Sequence, residues 1–409
     1  MLFFIQREEE FRMRRKAEEI EFLAAAFLYG EQQTQESIGR SLGLSQPVIS
    51  RLLKRAVKDG YIETRTRFIR EKVSEADTER ILARVHPARL QEILSKINVK
   101  DSNQPGPVVH VYPSHSRNTT EAAWRYRTDE FARACAKDVL EVLESASGIG
   151  VSWGETVAAV IAAMKNAATD RGVMKRHTRT TIPLIGEPLG LNITQHSSSV
   201  LAARLEEVLN PEVEPGQGHT LSLAPVPALI PADMTETEIQ AIRKLIGRIT
   251  AYREIFGTDR QNSTSDQKNV PLIRKIDAVL TSTSTHERPL GFDDDNLIRA
   301  AGVPREKLND LVIGDLCGAM ISRPNLDVEA KAEVKNILRR WTGVTISQLR
   351  DCAARARDGA PGILVLAIGA RKAPVVYAAL RNGLIQHLFM DQDLADRLEE
   401  ICLATSPAS

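Results

Sequence analysis

The chain has 409 residues, of which 43% are apolar and 26% charged, with a formal net charge of +1. That length exceeds one ordinary hydrophobic core and predicts two or three domains, while the composition excludes a disordered or fibrous chain. No apolar run reaches the roughly 20 residues that span a bilayer, and the four cysteines, Cys135, Cys317, Cys352 and Cys402, form no Cys-x-x-Cys pair, which argues against a disulfide framework or a zinc site.

The start, Met1 to Ile5, is apolar but gives way at once to Arg7 and Glu8–Glu10. It is too short for a signal peptide, so a cytoplasmic protein with no membrane partner is expected. Charge is unevenly spread: from Ser37 to Lys72 there are nine Lys/Arg against three Asp/Glu. A basic segment on a neutral chain is the footprint of a small DNA-binding domain on a larger body, although a solvated helical face would give the same count.

Helical spacing predicts a first helix from Ala17 to Tyr29, with Ile20, Leu23, Ala24 and Phe27 on one face. After Thr34 a short second helix, Gln35–Leu42, turns Ile38 and Leu42 inward. Gly43 supplies the turn and Leu44 plugs the core. Ser45 stands where a cap belongs, with Pro47 in the first turn of a third helix. Val48, Leu52 and Leu53 are expected to face inward there, with Ile49 and Val57 nearby. Ser45, Gln46, Ser50, Arg51, Lys54 and Arg55 are left to face out. A recognition helix needs short polar groups in its first turn and Arg or Lys behind them. Gly60 to Arg65, followed by Arg67, Phe68 and Ile69, reads as a wing. A plain three-helix bundle would share the core pattern; the Gly-Leu-Ser turn, the basic third helix and the wing favour DNA. The DNA-facing set is therefore Thr34, Gln35, Ser45, Gln46, Pro47, Ser50, Arg51, Lys54, Arg55 and Arg65, with Gln46 and Arg51 the best candidates for base contact. Residues 1–65 form this winged helix-turn-helix, 66–107 a linker region containing a short amphipathic helix (Pro87 to Ile97), and 66–409 the second domain.

Beyond the linker, short apolar runs bounded by Gly, Pro or Ser alternate with helical stretches. Val108–Tyr112, Gly148–Val151, Thr181–Ile185, Ala278–Thr281, Leu311–Ile313 and Ile363–Ile368 read as buried strands. Trp124–Glu144, Glu155–Ala168, Ser198–Leu209, Glu236–Tyr252 and Pro374–Leu380 read as helices. The alternation predicts a doubly wound, mostly parallel α/β domain. Gly148 to Thr156 is a strand ending in a small-residue loop that opens a helix, an arrangement that offers N–H groups to an anion. Ile363–Ile368 leads into a second such loop, Gly369-Ala370-Arg371-Lys372-Ala373-Pro374. Two loops of this kind at strand carboxyl ends can face one crevice, where Arg371 and Lys372 would neutralise a phosphate.

These motifs resemble those of the SorC/DeoR-type sugar-binding transcriptional regulators, along nearly the whole chain. Thr34–Ile62 looks like their helix-turn-helix, and Gly150-Val-Ser-Trp-Gly-Glu-Thr156 is similar to their Gly-x-Gly-Trp-Gly-x-Thr loop. Gly314-Asp315, Gly369-x-x-Lys372, Ala378 to Leu384 and Leu388-Phe389-Met390-Asp391 match the rest of their pattern. The resemblance implies a sugar-phosphate isomerase-like effector domain that binds a sugar phosphate or related metabolite, and a homodimer or homotetramer acting on double-stranded operator DNA. No cofactor and no metal is expected, since no Cys/His cluster stands at metal-ligand spacing. Carried onto this sequence, the ligand sits near Ser152, Trp153, Gly154, Glu155, Thr156, Gly369 and Lys372. The loop neighbours Ala370 and Arg371, and Thr281 and Ser282 on the central strand, complete the candidate set. Two features depart from the family: Ala278 to Thr285 carries hydroxyls where members carry a glycine-rich loop, and Glu155 puts a carboxylate beside the anion position. A less anionic effector is the alternative they leave open.

Some residues look catalytic. Asp293-Asp294-Asp295 is read as a solvated loop and His286-Glu287 as a polar pair, because nothing marks a nucleophile or metal beside them. Trp153 can stack on a sugar ring or fill space, while Trp124 and Trp341 are expected to pack. The chain is therefore read as a regulator and not an enzyme. Two alternatives remain: an isomerase- or deaminase-like enzyme, and a DNA-binding protein whose large domain is a ligand-free oligomerisation scaffold.

Overall fold

Two hydrophobic patterns of different period fold into two units, residues 1–94 and 95–409. The computed structural model describes residues 18–30, 33–62, 90–94, 106–113, 121–171, 179–187, 196–211, 221–257, 270–285 and 301–405.

In the first unit, helix α1 (residues 18–30) buries Phe22 to Ala26 and Leu28 against α2 (Gln35–Leu42) and α3 (Gln46–Lys58). The Thr34 hydroxyl accepts the Ser37 N–H at 3.2 Å and caps α2. Gly43 ends that helix at φ +66°. Gly39 allows the turn to close, since a Cβ there would meet the Leu44 carbonyl oxygen at 2.8 Å.

The inward faces differ in detail from expectation. Phe22 takes the central place in α1, while Ile20 and Phe27 sit half-buried at its margin. In α3 the buried stripe is Ile49, Leu53 and Ala56, an i, i+4, i+7 set shifted by one from the expected Val48 and Leu52; Val57 is exposed. Ser45 occupies the N-cap position, but only its backbone carbonyl serves the helix; the side chain makes no capping bond. Of the wing, Gly60 (φ +75°) and buried Ile62 are described. Arg65, Arg67, Phe68 and Ile69 lie outside the described residues, as do Asp293–Asp295 and His286-Glu287. Part of the expected linker helix is present as α4 (residues 90–94), with Leu90 and Leu94 buried.

The second unit is built on a parallel sheet in the order β1-β8-β7-β4-β2-β3. Its strands are β1 (Val108–Tyr112), β2 (Gly148–Val151), β3 (Thr180–Pro183), β4 (Ala278–Thr285), β7 (Gly362–Ala367) and β8 (His387–Asp391). β4 overshoots the sheet, and its far end pairs antiparallel with β5 (Val312–Leu316), which continues into β6 (Ala319–Ser322). The expected strand Leu311–Ile313 is thus the start of this hairpin and not a member of the parallel sheet.

Helices α5 (Glu121–Leu143), α6 (Glu155–Arg171) and α7 (Ser198–Leu209) cover one face. Val139, Leu140 and Leu143 of α5 pack there with Ile149, Val151, Leu280, Leu364, Leu366 and Phe389. Burial of each such side chain stabilises the fold by about 1.5–3 kcal/mol. The alternate residues Ile363, Val365 and Ala367 are equally buried on the other face. The expected helix Glu236–Tyr252 is two, α8 (Glu236–Ile246) and α9 (Thr250–Phe256), divided at Gly247. Four more follow: α10 (Arg305–Leu311), α11 (Val328–Arg340), α12 (Ile346–Ala354) and α13 (Ala373–Arg381); α14 (Gln392–Thr405) closes the described chain.

The connections from β1 and β2 run one way across the sheet, and those from β4 and β7 run the other. With right-handed crossovers they lie on opposite faces, so the switch point falls between β2 and β4.

Candidate functional site

At the switch point the loop after β2 lies against β4, with the Ser152 N–H donating to the Leu280 carbonyl at 3.1 Å. Ser152 and Thr156 are buried, and Glu155 stands exposed in the first turn of α6. Gly154 adopts φ +127° and donates its N–H to the His196 carbonyl at 3.2 Å, tying this loop to the segment before α7. Trp153 is only 5% exposed and packs edge-on to Trp341, the ring centroids 6.4 Å apart. Trp341 donates its indole N–H to the Val344 carbonyl at 2.8 Å.

The second loop, after β7, begins at Gly369 with φ +90°, where a Cβ would press on the Trp124 ring at 3.3 Å. Its Lys372 reaches across the sheet edge and donates from Nζ to Ser282 Oγ of β4 at 3.1 Å. This bond joins two of the expected site residues, 90 positions apart. Burial pushes the Lys372 ammonium down to about 8, against the pull of Asp315, Asp391 and Glu155, which favour its charge. Ala370 and Arg371 are exposed on the outer side of the loop, and Thr281 is fully buried.

Three further groups complete the site. Asp315, 5% exposed, accepts the Ser284 hydroxyl and, at 2.9 Å, the Gly318 N–H. Asp391 accepts the Gly369 N–H at 3.0 Å, the Leu394 N–H at 3.1 Å and Arg127 Nε of α5 at 2.8 Å. Its burial raises the carboxyl's pKa, and Arg127 opposes the rise. Glu187, just after β3, is raised by burial, while hydrogen bonds with Ser197 and Ser199 at the N-terminus of α7 lower it. Asp315 and Asp391 lie within the motifs that resemble the family pattern, outside the expected ligand set. Ser284 belongs to the hydroxyl run Ala278 to Thr285, and nothing in the sequence pointed to Arg127 or Glu187.

In the first unit, Gln46, Pro47, Arg51 and Lys54 form an exposed stripe along α3, with Ser50 partly covered beside them. Ser45 is exposed just before it, and Gln35 is half-buried at the start of α2. Arg55 differs from its neighbours. Its guanidinium lies 4.2 Å from the Phe22 ring centroid and pairs with Asp59 at 3.2 Å and Glu19 at 3.8 Å.

Among the described residues no group of three or more His, Cys, Asp or Glu is placed to hold a metal, and no helix is long and apolar enough to cross a membrane. All four cysteines are buried free thiols.

This architecture defines a class: a helix-turn-helix unit followed by a mostly parallel α/β unit with a topological switch point between β2 and β4. Within that class the chain matches the full-length sorbitol operon regulator SorC from Klebsiella pneumoniae over 93% of its own length and 99% of the other, with a TM-score of 0.51 at 20% identity. A DeoR family transcriptional regulator from Listeria monocytogenes matches 76% of this chain and 99% of its own, with a TM-score of 0.50 at 16% identity. These likenesses establish the fold, in agreement with the motif resemblance read from the sequence. No protein-family model and no curated protein matches the chain.

Proposed function

We propose that this chain is a DNA-binding transcription regulator whose operator affinity is set by a small carbohydrate bound at the switch-point crevice. The observation that carries the reading is the Lys372–Ser282 bond, which joins the loop after β7 to expected site residues on β4 at the carboxyl end of the sheet. The same chain carries the exposed polar stripe of α3. Full-length agreement in fold with a sorbitol operon regulator supports the pairing of these two units.

Residues 1–65 read the operator through Thr34, Gln35, Ser45, Gln46, Pro47, Ser50, Arg51, Lys54, Arg55 and Arg65. Residues 66–107 pass the effector state on, and the protein acts as a cytoplasmic homodimer or homotetramer that places paired α3 helices on two half-sites. It performs no turnover. For the ligand, the resemblance points to a phosphorylated sugar, with Lys372 and Arg371 meeting its phosphate. The carboxylates around Lys372 favour a second reading, a free sugar or sugar alcohol.

The test is operator binding of wild type and Lys372→Ala, with and without a stabilising compound found by thermal shift. Lys372→Ala is expected to abolish the effector response and retain DNA affinity. A response that survives the substitution moves the site elsewhere. Conversion of a sugar phosphate at a useful rate would revive the enzyme, and no stabilisation by any carbohydrate leaves only a scaffold.

A further inference from the structure

We propose that His110 of β1 and His387 of β8 form an acid-sensitive latch that holds α5 on the outer strands of the sheet, so that mild acidification alone loosens the helix supporting the Gly369 loop. This does not depend on the effector reading.

β1 ends the parallel sheet, with β8 its neighbour. In their register Val108 stands beside His387 and His110 beside Phe389. The three rings stack on one face. His110 lies 4.3 Å from Phe389 and 6.2 Å from His387, centroid to centroid, with interplanar angles of 6° and 23°. That face belongs to α5, since Phe389 is in the core beneath this helix. Tyr112, two residues along β1, packs edge-on to Phe131 of α5 and donates its hydroxyl to Asp138 of α5 at 2.5 Å. The alternate residues Val109, Val111, Leu388 and Met390 are buried on the opposite face.

Each histidine has one nitrogen with nowhere to place a proton. His110 Nε2 and His387 Nδ1 are buried and have no hydrogen-bond partner among the described residues. A neutral imidazole bears a single N–H and can leave the other nitrogen bare, whereas an imidazolium donates from both. Charging either ring forces its buried nitrogen to donate to a partner or remain unpaired, and charging both sets two cations on stacked rings. Among the described residues two charges bear on the pair. Asp138, already engaged by Tyr112, favours protonation of His110, and His110 opposes that of His387. Burial outweighs the help from Asp138: it holds His110 below the ordinary histidine value and, with His110 adding to it, pushes His387 down to about 4. Cys135, the other titratable group of α5 beside Tyr112, stays a neutral thiol because burial raises it.

Below the ordinary histidine value of 6.5 the opened chain therefore binds protons that the closed one refuses. The closed form is fully stable above that value and loses stability as pH falls from 6.5 toward about 4. The loss reaches the Gly369 loop through α5. Trp124 of this helix lies against Gly369, and Arg127 pairs with Asp391, which accepts the Gly369 N–H.

The experiment compares urea unfolding of the full-length protein with that of the His110→Phe, His387→Phe double variant, whose phenyl rings keep the stack and take no proton. Between about pH 6.5 and about pH 5 the wild-type unfolding constant should rise by about tenfold or more relative to that of the variant. Hydrogen exchange at the same two pH values, corrected for intrinsic rates, should show protection lost in β1, β8, α5 and residues 368–373 of the wild type, and retained in the variant. Equal pH dependence in the two proteins overturns the inference, as does a loss of protection spread evenly over the second unit. If the double variant fails to fold, NMR of wild type labelled with 13C at histidine Cε1 decides, the two signals assigned from His110→Gln and His387→Gln. Both rings titrating clearly below the ordinary histidine value sustains the latch, and either one titrating at that value overturns it.

Discussion

Asp391 ties three pieces of the site to one carboxylate: the Gly369 loop, the start of α14 and Arg127 of α5. The pair with Arg127 is nearly dry, with side chains 2% and 10% exposed. Removing one partner of such a pair leaves the other charge buried, at a cost of about 3–5 kcal/mol. Asp391→Ala should lose stability in that range in urea unfolding, and Asp391→Asn clearly less, because the amide oxygen still accepts the Gly369 N–H. Equal losses for the two would show that the charge pair, which both variants remove, carries the whole loss and the accepted N–H bonds little. Lys372 gives a second prediction, on pH. Its folded pKa, about 8, lies below the ordinary lysine value of 10.5, so between these values the unfolded chain holds more of this proton than the folded chain does. The Lys372 contribution to stability therefore rises as pH climbs from about 8 toward 10.5 and is flat below that window. Subtracting the stability profile of Lys372→Met from that of wild type isolates it, since the buried thiols, titrating in the opposite sense, cancel. A flat difference would place the ammonium in water. Lys372 and Ser282 were legible in the sequence because a basic residue after a buried strand and hydroxyls on a central strand are local signals. Arg127 was not, since its partner is 264 positions away and its own neighbourhood is an ordinary amphipathic helix.

At the scale of an element, α3 separates residues by the company they keep. Arg51 and Lys54 stand exposed, whereas Arg55 covers Phe22 and pairs with Asp59 and Glu19. Both classes lie in the expected DNA-facing set, and their substitutions should read differently. Arg51→Ala is expected to weaken operator binding and reduce the slope of log affinity against log salt by about one, as the loss of one phosphate contact does. Arg55→Ala should instead lower the stability of the first unit by about 0.5–1 kcal/mol through the lost ring contact, with the salt slope nearly unchanged. An inverted pattern would make Arg55 the DNA contact and Arg51 a bystander. Elements were legible where one period ran uninterrupted: β1, β2 and α7 begin and end where alternation and flanking breakers set them. Others were hidden for physical reasons. The β5–β6 hairpin turns on Cys317 and Gly318, with φ of +55° and +70°, and a cysteine in the first of these left-handed positions is not a turn signal. Strand β8 is mostly one buried run, Leu388 to Asp391, without the polar alternation that marks a half-exposed strand.

For the whole molecule, the proposed regulation amounts to a free-energy coupling between effector and operator, and the sign of that coupling is not written in either unit alone. What thermodynamics does fix is its symmetry. If the effector changes operator affinity by some factor, operator DNA must change effector affinity by the same factor, whatever the structural route through residues 66–107. For a coupling of about 1–3 kcal/mol that factor is about 5–150. Titrating the effector into free protein and into saturated protein–operator complex, and the operator into free and effector-saturated protein, closes the cycle. The two ratios should agree within error for wild type. For Lys372→Ala the coupling should fall to unity along both arms, while operator affinity without effector stays in place. Unequal ratios in wild type would mean that a linked step, a change of oligomeric state above all, has been left out of the cycle, and repeating the titrations across protein concentration would expose it. Equal ratios of one would separate the two units energetically. The crevice would then sense its ligand without informing the DNA reader, and the regulator reading would fail for the molecule even if each unit binds what its own surface suggests.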